Sequence, residues 1–192
     1  MATDLHHDER ITAVGLFLEA YSGLVNRLSS QLAQHGLSLI EFGVLIRLAR
    51  SSQQRLRMSE LASQVALTTS GITRVVDRLE RASLVRREAC PTDRRGAWAV
   101  LTDEGLSRIT GALPGHLAEV EQHFTGRFSA DELARFVGWL RDIRDDVNPA
   151  ARPSGEATGG SPAATTDQPA REPAGAAPDG SGASTGRTGG RN

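Results

Sequence analysis

Apolar side chains near the amino terminus recur at intervals of three and four, the spacing of one face of a helix. The positions are Ile11, Val14, Leu18, Tyr21, Val25, Leu28 and Leu32. Leu16, Phe17 and Leu24 lie off this seam, so the predicted helix is apolar on more than one side. In a small domain, a helix that is apolar on more than one side typically contacts a second subunit as well as the core.

A second helix and a short strand are predicted next. Gly36 is expected to end the first helix, and Ser38 and Glu41 form a capping box that opens a second helix running to about Arg50. Residues 55–58 alternate between polar and apolar side chains. This alternation indicates a short strand that is able to pair with a later hairpin.

Residues 58–102 hold two short helical patterns, at 59–66 and 68–79. They are followed by a hairpin pattern, with its first strand at 84–87 and its returning strand at 98–101. Two short helices followed by a hairpin form a winged helix-turn-helix, which commonly binds duplex DNA. The sequence therefore predicts a mainly α fold with a small β-hairpin wing.

Two further helices are predicted after the wing. Thr102, followed by two acids, is expected to cap a long helix, in which Pro114-Gly115 predicts a kink or a break. Ser129 and Glu132 form a second capping box that opens the last amphipathic helix. The first helix and these two carry broad apolar faces, so we assign them to a helical dimerisation module beside the winged lobe.

The composition changes abruptly near residue 148. Residues 149–192 hold 6 Pro and 9 Gly but no Leu, Ile, Val, Met or aromatic residue, so they lack the side chains of a core. We expect a folded domain over residues 1–147 and a disordered Pro/Gly/Ala-rich tail over residues 148–192. Within the domain, the DNA-binding lobe is expected at about 38–101 and the dimerisation elements at about 8–36 and 102–147.

Positive charge is concentrated in the winged region. Residues 47–95 contain 11 Arg and 5 acids, whereas the rest of residues 1–148 contains 7 Arg and 14 acids, and the whole chain has a net charge of −1. Neutralising DNA phosphates needs such a local concentration. All 22 basic residues are Arg. A genome-wide GC bias would produce the same usage, and we favour that cause over selection for phosphate binding.

Several classes of protein are not expected. The amino terminus has no apolar run, and no segment approaches the about 20 apolar residues of a membrane span, so we expect a cytoplasmic protein. The single cysteine, Cys90, excludes an internal disulfide framework. We find no nucleophile motif, phosphate-binding loop or cluster of acids, so we expect neither enzyme activity nor a cofactor.

Five short sequence blocks follow one another between residues 59 and 105. They are Ser59-Glu60-Leu61-Ala62, residues 73–80, Leu84-Val85-Arg86-Arg87, Pro91-Thr92-Asp93-Arg94-Arg95 and Leu101-Thr102-Asp103-Glu104-Gly105. The acid and arginines of the fourth block, with the Leu-Thr-acid run after it, are the most specific. Over about residues 8–147 the chain resembles the MarR family of transcription regulators.

The resemblance implies a homodimer that binds double-stranded DNA. Each lobe would place one helix in a major groove and its wing in the neighbouring minor groove of a pseudo-palindromic operator. Members of the family commonly release DNA when a small, often phenolic or aromatic, ligand binds. The resemblance therefore implies a ligand-responsive regulator, for which repression is the expected role.

The resemblance also implies roles for individual residues. Residues 69–81 would be the recognition helix, with Ser70, Thr73 and Arg74 facing base edges and with Thr69 and Arg78 holding phosphates. In the wing, Arg95 would enter the minor groove, Arg94 would lie along the backbone and Asp93 would pair with an arginine to order the loop. A plain turn residue remains the alternative for Asp93.

One position departs from the family pattern. The family usually has Gly between the recognition helix and the wing, whereas this chain has Ala82-Ser83. A left-handed helix cap is less favourable without Gly, and we expect Ser83 to adopt it at modest cost.

The sequence does not identify the small molecule that would act as the effector. Phe17, Tyr21, Phe42 and Trp98 could line a pocket, although core positions are the favoured interpretation.

Other roles also remain as alternatives. Cys90 lies beside the wing arginines and could sense oxidants, but a wing residue without a role is favoured. His116 and His123 are two helical turns apart, yet surface or interface positions are favoured over a metal site. A winged-helix module that binds a protein partner is the alternative to a DNA-binding regulator; the density of Arg argues against it.

Overall fold

The computed structural model describes the backbone of residues 5–90 and 93–152, and the side chains of residues 6–90 and 96–152. The helices are α1 Glu9–Ala33, α2 Leu39–Arg50, α3 Met58–Gln64, α4 Thr69–Arg81, α5 Asp103–His123 and α6 Ala130–Val147. The strands are β1 Arg55–Arg57, β2 Val85–Cys90 and β3 Asp93–Leu101. Within these ranges, no helix is long and apolar enough to span a bilayer.

The predicted mainly α fold with a small wing is confirmed. The boundary predicted at 147–148 is followed by a short 3-10 turn, Pro149–Ala151, which contacts α3. Most of the predicted tail lies outside the described residues.

Side-chain caps start three helices where the sequence predicts. Ser38 and Glu41 form a reciprocal capping box at α2, in which the Ser38 backbone N–H donates to Glu41 Oε2 at 2.9 Å. Ser129 and Glu132 form the same arrangement at α6. The Thr102 side chain caps α5. Each cap satisfies backbone donors that the first helical turn leaves free.

The three strands form one antiparallel sheet with β3 in the centre. Leu56 of β1 lies opposite Ala99, and Val85 of β2 lies opposite Leu101. The predicted pairing of residues 55–58 with the wing is therefore confirmed for β1. The β2–β3 register shifts between Ala89 and Cys90, close to the tip of the hairpin.

One hydrophobic core joins the end of α1 to α2, α3, α4, the sheet and the start of α5. Its largest fully buried side chains are Leu32, Val44, Leu45, Leu48, Leu61, Ile72, Val76, Leu79, Leu84, Val85 and Ile109. Because all these elements share a single core, the start of α5 is packed into the winged lobe.

The seam of α1 changes from exposed to buried along its length. Leu28 and Leu32 are buried, whereas Leu18 and Tyr21 expose 56% and 60% of their surface. Phe17 is exposed as well, so the favoured interpretation of Phe17 and Tyr21 as core residues is wrong for the single chain. The core is simply shorter than the helix, and the amino-terminal half of α1 extends beyond it.

Three phenylalanines pack at the turn between α5 and α6. Phe128 stacks on Phe136 with 5.2 Å between ring centroids, and Phe124 meets both edge-on. Beyond this cluster α6 has no buried residue, and Trp139 and Ile143 are exposed. Every position of α6 is therefore half-buried or exposed in the single chain.

Helix α5 continues through Pro114, so the break that the sequence offered as one of two outcomes at Pro114-Gly115 is wrong. Gln31 of α1 packs against this part of α5, where its Nε2 donates to the Ala112 carbonyl at 3.3 Å. Proline removes one helical hydrogen bond, but packing on a neighbouring helix can maintain the helix despite that loss.

Gly105 lies at the closest approach between α5 and the wing. A Cβ at this position would lie 2.1 Å from the Leu84 carbonyl oxygen and 2.8 Å from Leu101 Cδ1. Only glycine fits there, because the first of these atoms belongs to backbone that cannot swing aside.

We expect Gly105→Ala to lower the free energy of unfolding by about 1–3 kcal/mol through overpacking. Gly111→Ala on the same helix is the matched control, since a Cβ there meets nothing within 4 Å. The control should raise stability by about 0.5–1 kcal/mol through reduced chain entropy. Urea unfolding measures both, and equal stability of the two variants would refute the close approach.

Candidate nucleic-acid interface

The rotation of α4 about its axis is set by its buried side. Its bounds, Thr69–Arg81, are those predicted for the recognition helix, and the Thr68 hydroxyl caps it by accepting from Gly71 N–H at 3.1 Å. The four buried side chains are Ile72, Val75, Val76 and Leu79. Because they repeat at helical spacing, the remaining positions face away from the core.

Four of the five α4 residues predicted to read or hold DNA lie together on that outward side. Thr69, Ser70, Thr73 and Arg74 are all exposed near the amino-terminal end of α4. The Thr73 hydroxyl donates to the Thr69 carbonyl at 2.8 Å, which orients its methyl group and oxygen. Arg74 has no ion-pair partner among the described residues, so its guanidinium is available to a ligand.

Arg78, the fifth of these residues, is engaged within the chain. Its Nε donates to Glu41 Oε1 at 2.8 Å, which joins α4 to the start of α2. Burial raises the pKa of Glu41, but hydrogen bonds from Ser38 and Arg78 outweigh it and hold that pKa below its ordinary value. The carboxylate therefore stays charged and keeps Arg78 in place.

Arg87 ties the wing to the recognition helix. Its Nη1 lies 2.6 Å from Asp77 Oδ1 and 2.9 Å from Glu80 Oε2, and its Nη2 donates to the Thr73 carbonyl at 3.2 Å. Its own N–H donates to Glu80 as well. Sequence reasoning missed this role, although two acids three residues apart on one face of α4 were a visible signal.

The root of the wing carries an aromatic ring between arginines. The guanidinium carbons of Arg55 and Arg57 lie 4.9 and 5.3 Å from the Trp98 ring centroid, within cation–π range. Trp98 of β3 therefore packs against two arginines of β1. The backbone of Asp93, Arg94 and Arg95 belongs to β3, and their side chains lie outside the described part of the structure.

The departure at Ala82-Ser83 is accommodated as expected. Ser83 has a φ of 60°, the left-handed conformation for which glycine is common in the family. The Thr102 hydroxyl donates to the Ser83 carbonyl at 2.8 Å. This bond supports the strained residue that sets the angle between α4 and the wing.

The alternative chemical sites gain little support from their surroundings. Cys90 is 6% exposed, so an oxidant has poor access to its sulfur. The ring centroids of His116 and Phe42 are 4.4 Å apart, and burial lowers the pKa of His116. Nε2 of His123 lies 3.5 Å from Oε2 of Glu119. Within the described ranges no group of three His, Cys, Asp or Glu is placed to hold a metal ion.

Helices α3 and α4, followed by the β2–β3 hairpin, define a winged helix-turn-helix protein. A family model described as MarR family matches residues 35–96. The chain is 34% identical over 103 residues to the HTH-type transcriptional regulator MhqR of Bacillus subtilis, covering 54% of this chain and 70% of that protein. It therefore belongs to the MarR family of transcriptional regulators, and it is not an enzyme.

Two further relatives agree with this assignment. The HTH-type transcriptional repressor YetL of Bacillus subtilis is 33% identical over 111 residues, 58% of this chain and 66% of that protein. The structure of Sco3205, a MarR family transcriptional regulator from Streptomyces coelicolor in complex with DNA, is 34% identical. It superposes with a TM-score of 0.69 and covers 73% of this chain and 89% of that one.

We expect Arg87→Gln to lower the free energy of unfolding by about 1–2 kcal/mol, because two carboxylates of α4 lose their shared partner. Arg86→Gln is the control, since Arg86 lies at an exposed position and, among the described residues, pairs only with Glu88 of its own strand. That change should cost less than about 0.5 kcal/mol. Thermal or urea unfolding that ranks the two variants equally would contradict the tie between wing and helix.

Proposed function

We propose that this chain is a repressor that binds a pseudo-palindromic operator as a homodimer and releases it when a small-molecule effector binds. The observation that carries the proposal is the outward face of α4, where three hydroxyls and the Arg74 guanidinium lie beside an arginine-rich wing; Arg74 has no ion-pair partner within the described part of the chain. Hydrogen-bonding side chains on the first turns of a helix are the groups that read base edges in a major groove.

Each predicted DNA contact has a chemical reason. Ser70, Thr73 and Arg74 read base edges in this proposal, with Arg74 able to bind a guanine through two parallel hydrogen bonds. Thr69 holds a phosphate near the amino-terminal end of α4, where the helix dipole attracts anions.

Arg78 holds a second phosphate in this proposal. Its side chain is 47% exposed while Nε binds Glu41, so the carboxylate orients the guanidinium without covering it. The wing roles of Asp93, Arg94 and Arg95 follow the family pattern, with Arg95 in the narrow minor groove, where negative potential is focused.

The relatives support both binding and repression. The similar structure of Sco3205 is a complex with DNA, and the similar protein YetL is named as a transcriptional repressor. Repression also fits a protein whose described residues form one lobe and one helical module, because blocking a promoter needs only occupancy of the site.

The homodimer is supported by apolar surface outside the core. The exposed amino-terminal half of α1 and the exposed side of α6 carry large apolar residues, namely Ile11, Val14, Leu16, Phe17, Leu18, Tyr21, Trp139, Ile143 and Val147. Monomeric proteins rarely leave apolar patches of this extent open to water. In the proposal, α1, α5 and α6 form the dimerisation module, and residues 38–101 form the DNA-binding lobe.

Arg74→Ala tests the base-reading role. The test compares the affinity for a selected operator with that for a variant in which the guanine contacted by Arg74 is replaced. We expect the ratio of these two affinities to fall by a factor equivalent to about 1–3 kcal/mol. Operators are first selected from a random duplex library with the wild-type chain. The matched variant is Arg81→Ala, near the carboxyl end of the same helix, which should leave that ratio unchanged. An unaltered ratio in Arg74→Ala would remove Arg74 from the reading face.

Leu18→Glu tests the dimer. Placing a carboxylate in the exposed α1 seam should raise the dimer dissociation constant at least about 100-fold, because each protomer must bury a charge. Thr12→Glu, on the polar face of the same helix, is the control and should leave the constant unchanged. Sedimentation velocity measures both. A wild-type chain that is monomeric at micromolar concentration, or two variants that behave alike, would refute the proposed interface.

A further inference from the structure

The three-stranded sheet has two faces of different character. Because side chains alternate along a strand, the register places Leu56 and Ala99 together on one face, which packs into the core. The opposite face carries charged side chains of both edge strands and one aromatic ring of the central strand. We name it the outer sheet face, and its residues are Arg55, Arg57, Arg86, Glu88 and Trp98.

The outer sheet face has an excess of positive charge. It holds three arginines and one glutamate, so two positive charges are not balanced within it. Glu88 Oε1 lies 2.6 Å from Arg86 Nη1, and Glu88 Oε2 lies 3.9 Å from Arg55 Nη1. The side chains of Arg55 and Arg86 remain 38% and 53% exposed. One carboxylate cannot neutralise three guanidinium groups, so this face attracts anions.

Trp98 restricts the two arginines of β1. Both guanidinium groups lie over its ring, and Arg55, Arg57 and Trp98 are all half-buried. Stacking uses the flat surface of a guanidinium and leaves the N–H groups at its edge able to bind a phosphate. A side chain that is already restricted in the free protein loses less freedom when it binds a ligand. The stacked arginines are therefore better prepared for phosphate binding than arginines that extend into water.

The outer sheet face lies on the same strand as the wing tip. Trp98 follows Arg95 by three positions of β3, a separation of about 10 Å at about 3.3 Å per residue. Helix α4 is bound through Arg87 on the core side of the sheet, so the outer face is directed away from α4. In a dimer held together by its helical modules, that direction leads along the duplex beyond the half-site.

We propose that the outer sheet face binds the phosphate backbone of the DNA that flanks the operator, which curves toward the lobe. Arg55, Arg57 and Arg86 bind the phosphates, and Trp98 positions two of these arginines. Phosphates are present in every sequence, so the contact adds affinity without adding sequence preference. The contacts offset the energy needed to bend the flanking duplex. This inference rests on the proposed function, because it requires the lobe to bind an operator.

Fluorescence anisotropy with two duplexes tests the contact. One duplex holds the selected operator and ends just beyond the grooves that the wings contact, and the other extends it by about one helical turn of arbitrary sequence on each side. We expect the extension to tighten wild-type binding at least about tenfold and to steepen its salt dependence, because each added phosphate contact changes the slope by about 0.9.

A double variant, Arg55→Gln with Arg57→Gln, should bind the short duplex as the wild type does and gain at most about threefold from the extension. Arg127→Gln is the matched control, since it removes one arginine charge at an exposed position between α5 and α6. It should keep the full gain. Trp98→Leu retains every charge of the outer sheet face, so a gain at least about twofold smaller than that of the wild type would report the loss of positioning.

Resonance energy transfer between dyes at the two ends of the long duplex supplies a second readout. Wild-type binding should shorten the distance between the ends, and the double variant should shorten it less. An equal gain from the extension in the wild type and the double variant, a flank that stays straight, or weaker binding of the double variant to the short duplex would each overturn the inference. A wild-type chain that does not prefer its operator in the short duplex would refute the proposed function, and this inference with it.

Discussion

The burial of one side of α4 is the constraint on which the functional surface depends. Ile72, Val75, Val76 and Leu79 pack into the core shared by α2, α3 and the sheet, so the helix cannot rotate without exposing them. Burying each such side chain contributes about 1.5–3 kcal/mol. The outward direction of Arg74 and the hydroxyls before it is therefore a consequence of packing, and it requires no interaction of their own.

The arginines of the winged region serve three different purposes. Arg87 and Arg78 hold α4 against the wing and against α2 through carboxylates. Arg55 and Arg57 pack on Trp98, and Arg47 lines a cavity. The local excess of positive charge in the sequence thus overstates the number of side chains that are free to bind phosphate. Arg74 has no such engagement among the described residues.

Local signals predicted most of the fold, whereas contacts between distant residues could not be predicted. Caps such as Ser38 with Glu41, and the bounds of α4, depend on residues within one or two helical turns, which the sequence displays. The course of α5 through Pro114 depends on packing against α1 across the chain. The same is true of the Arg87 ion pairs, which join a strand of the wing to α4. The family motifs placed the candidate site, but only the three-dimensional structure separates arginines that are engaged within the chain, such as Arg78 and Arg87, from Arg74, which has no ion-pair partner among the described residues.

Fluorescence anisotropy of the full chain on its selected operator and on a scrambled duplex, across a series of salt concentrations, tests the central claim most directly. The account predicts a preference for the operator of at least about 1,000-fold and an affinity that falls steeply with salt, as several phosphate contacts require. Equal, weak and nearly salt-independent binding to both duplexes would contradict it and would indicate that the outward face of α4 serves a partner other than DNA.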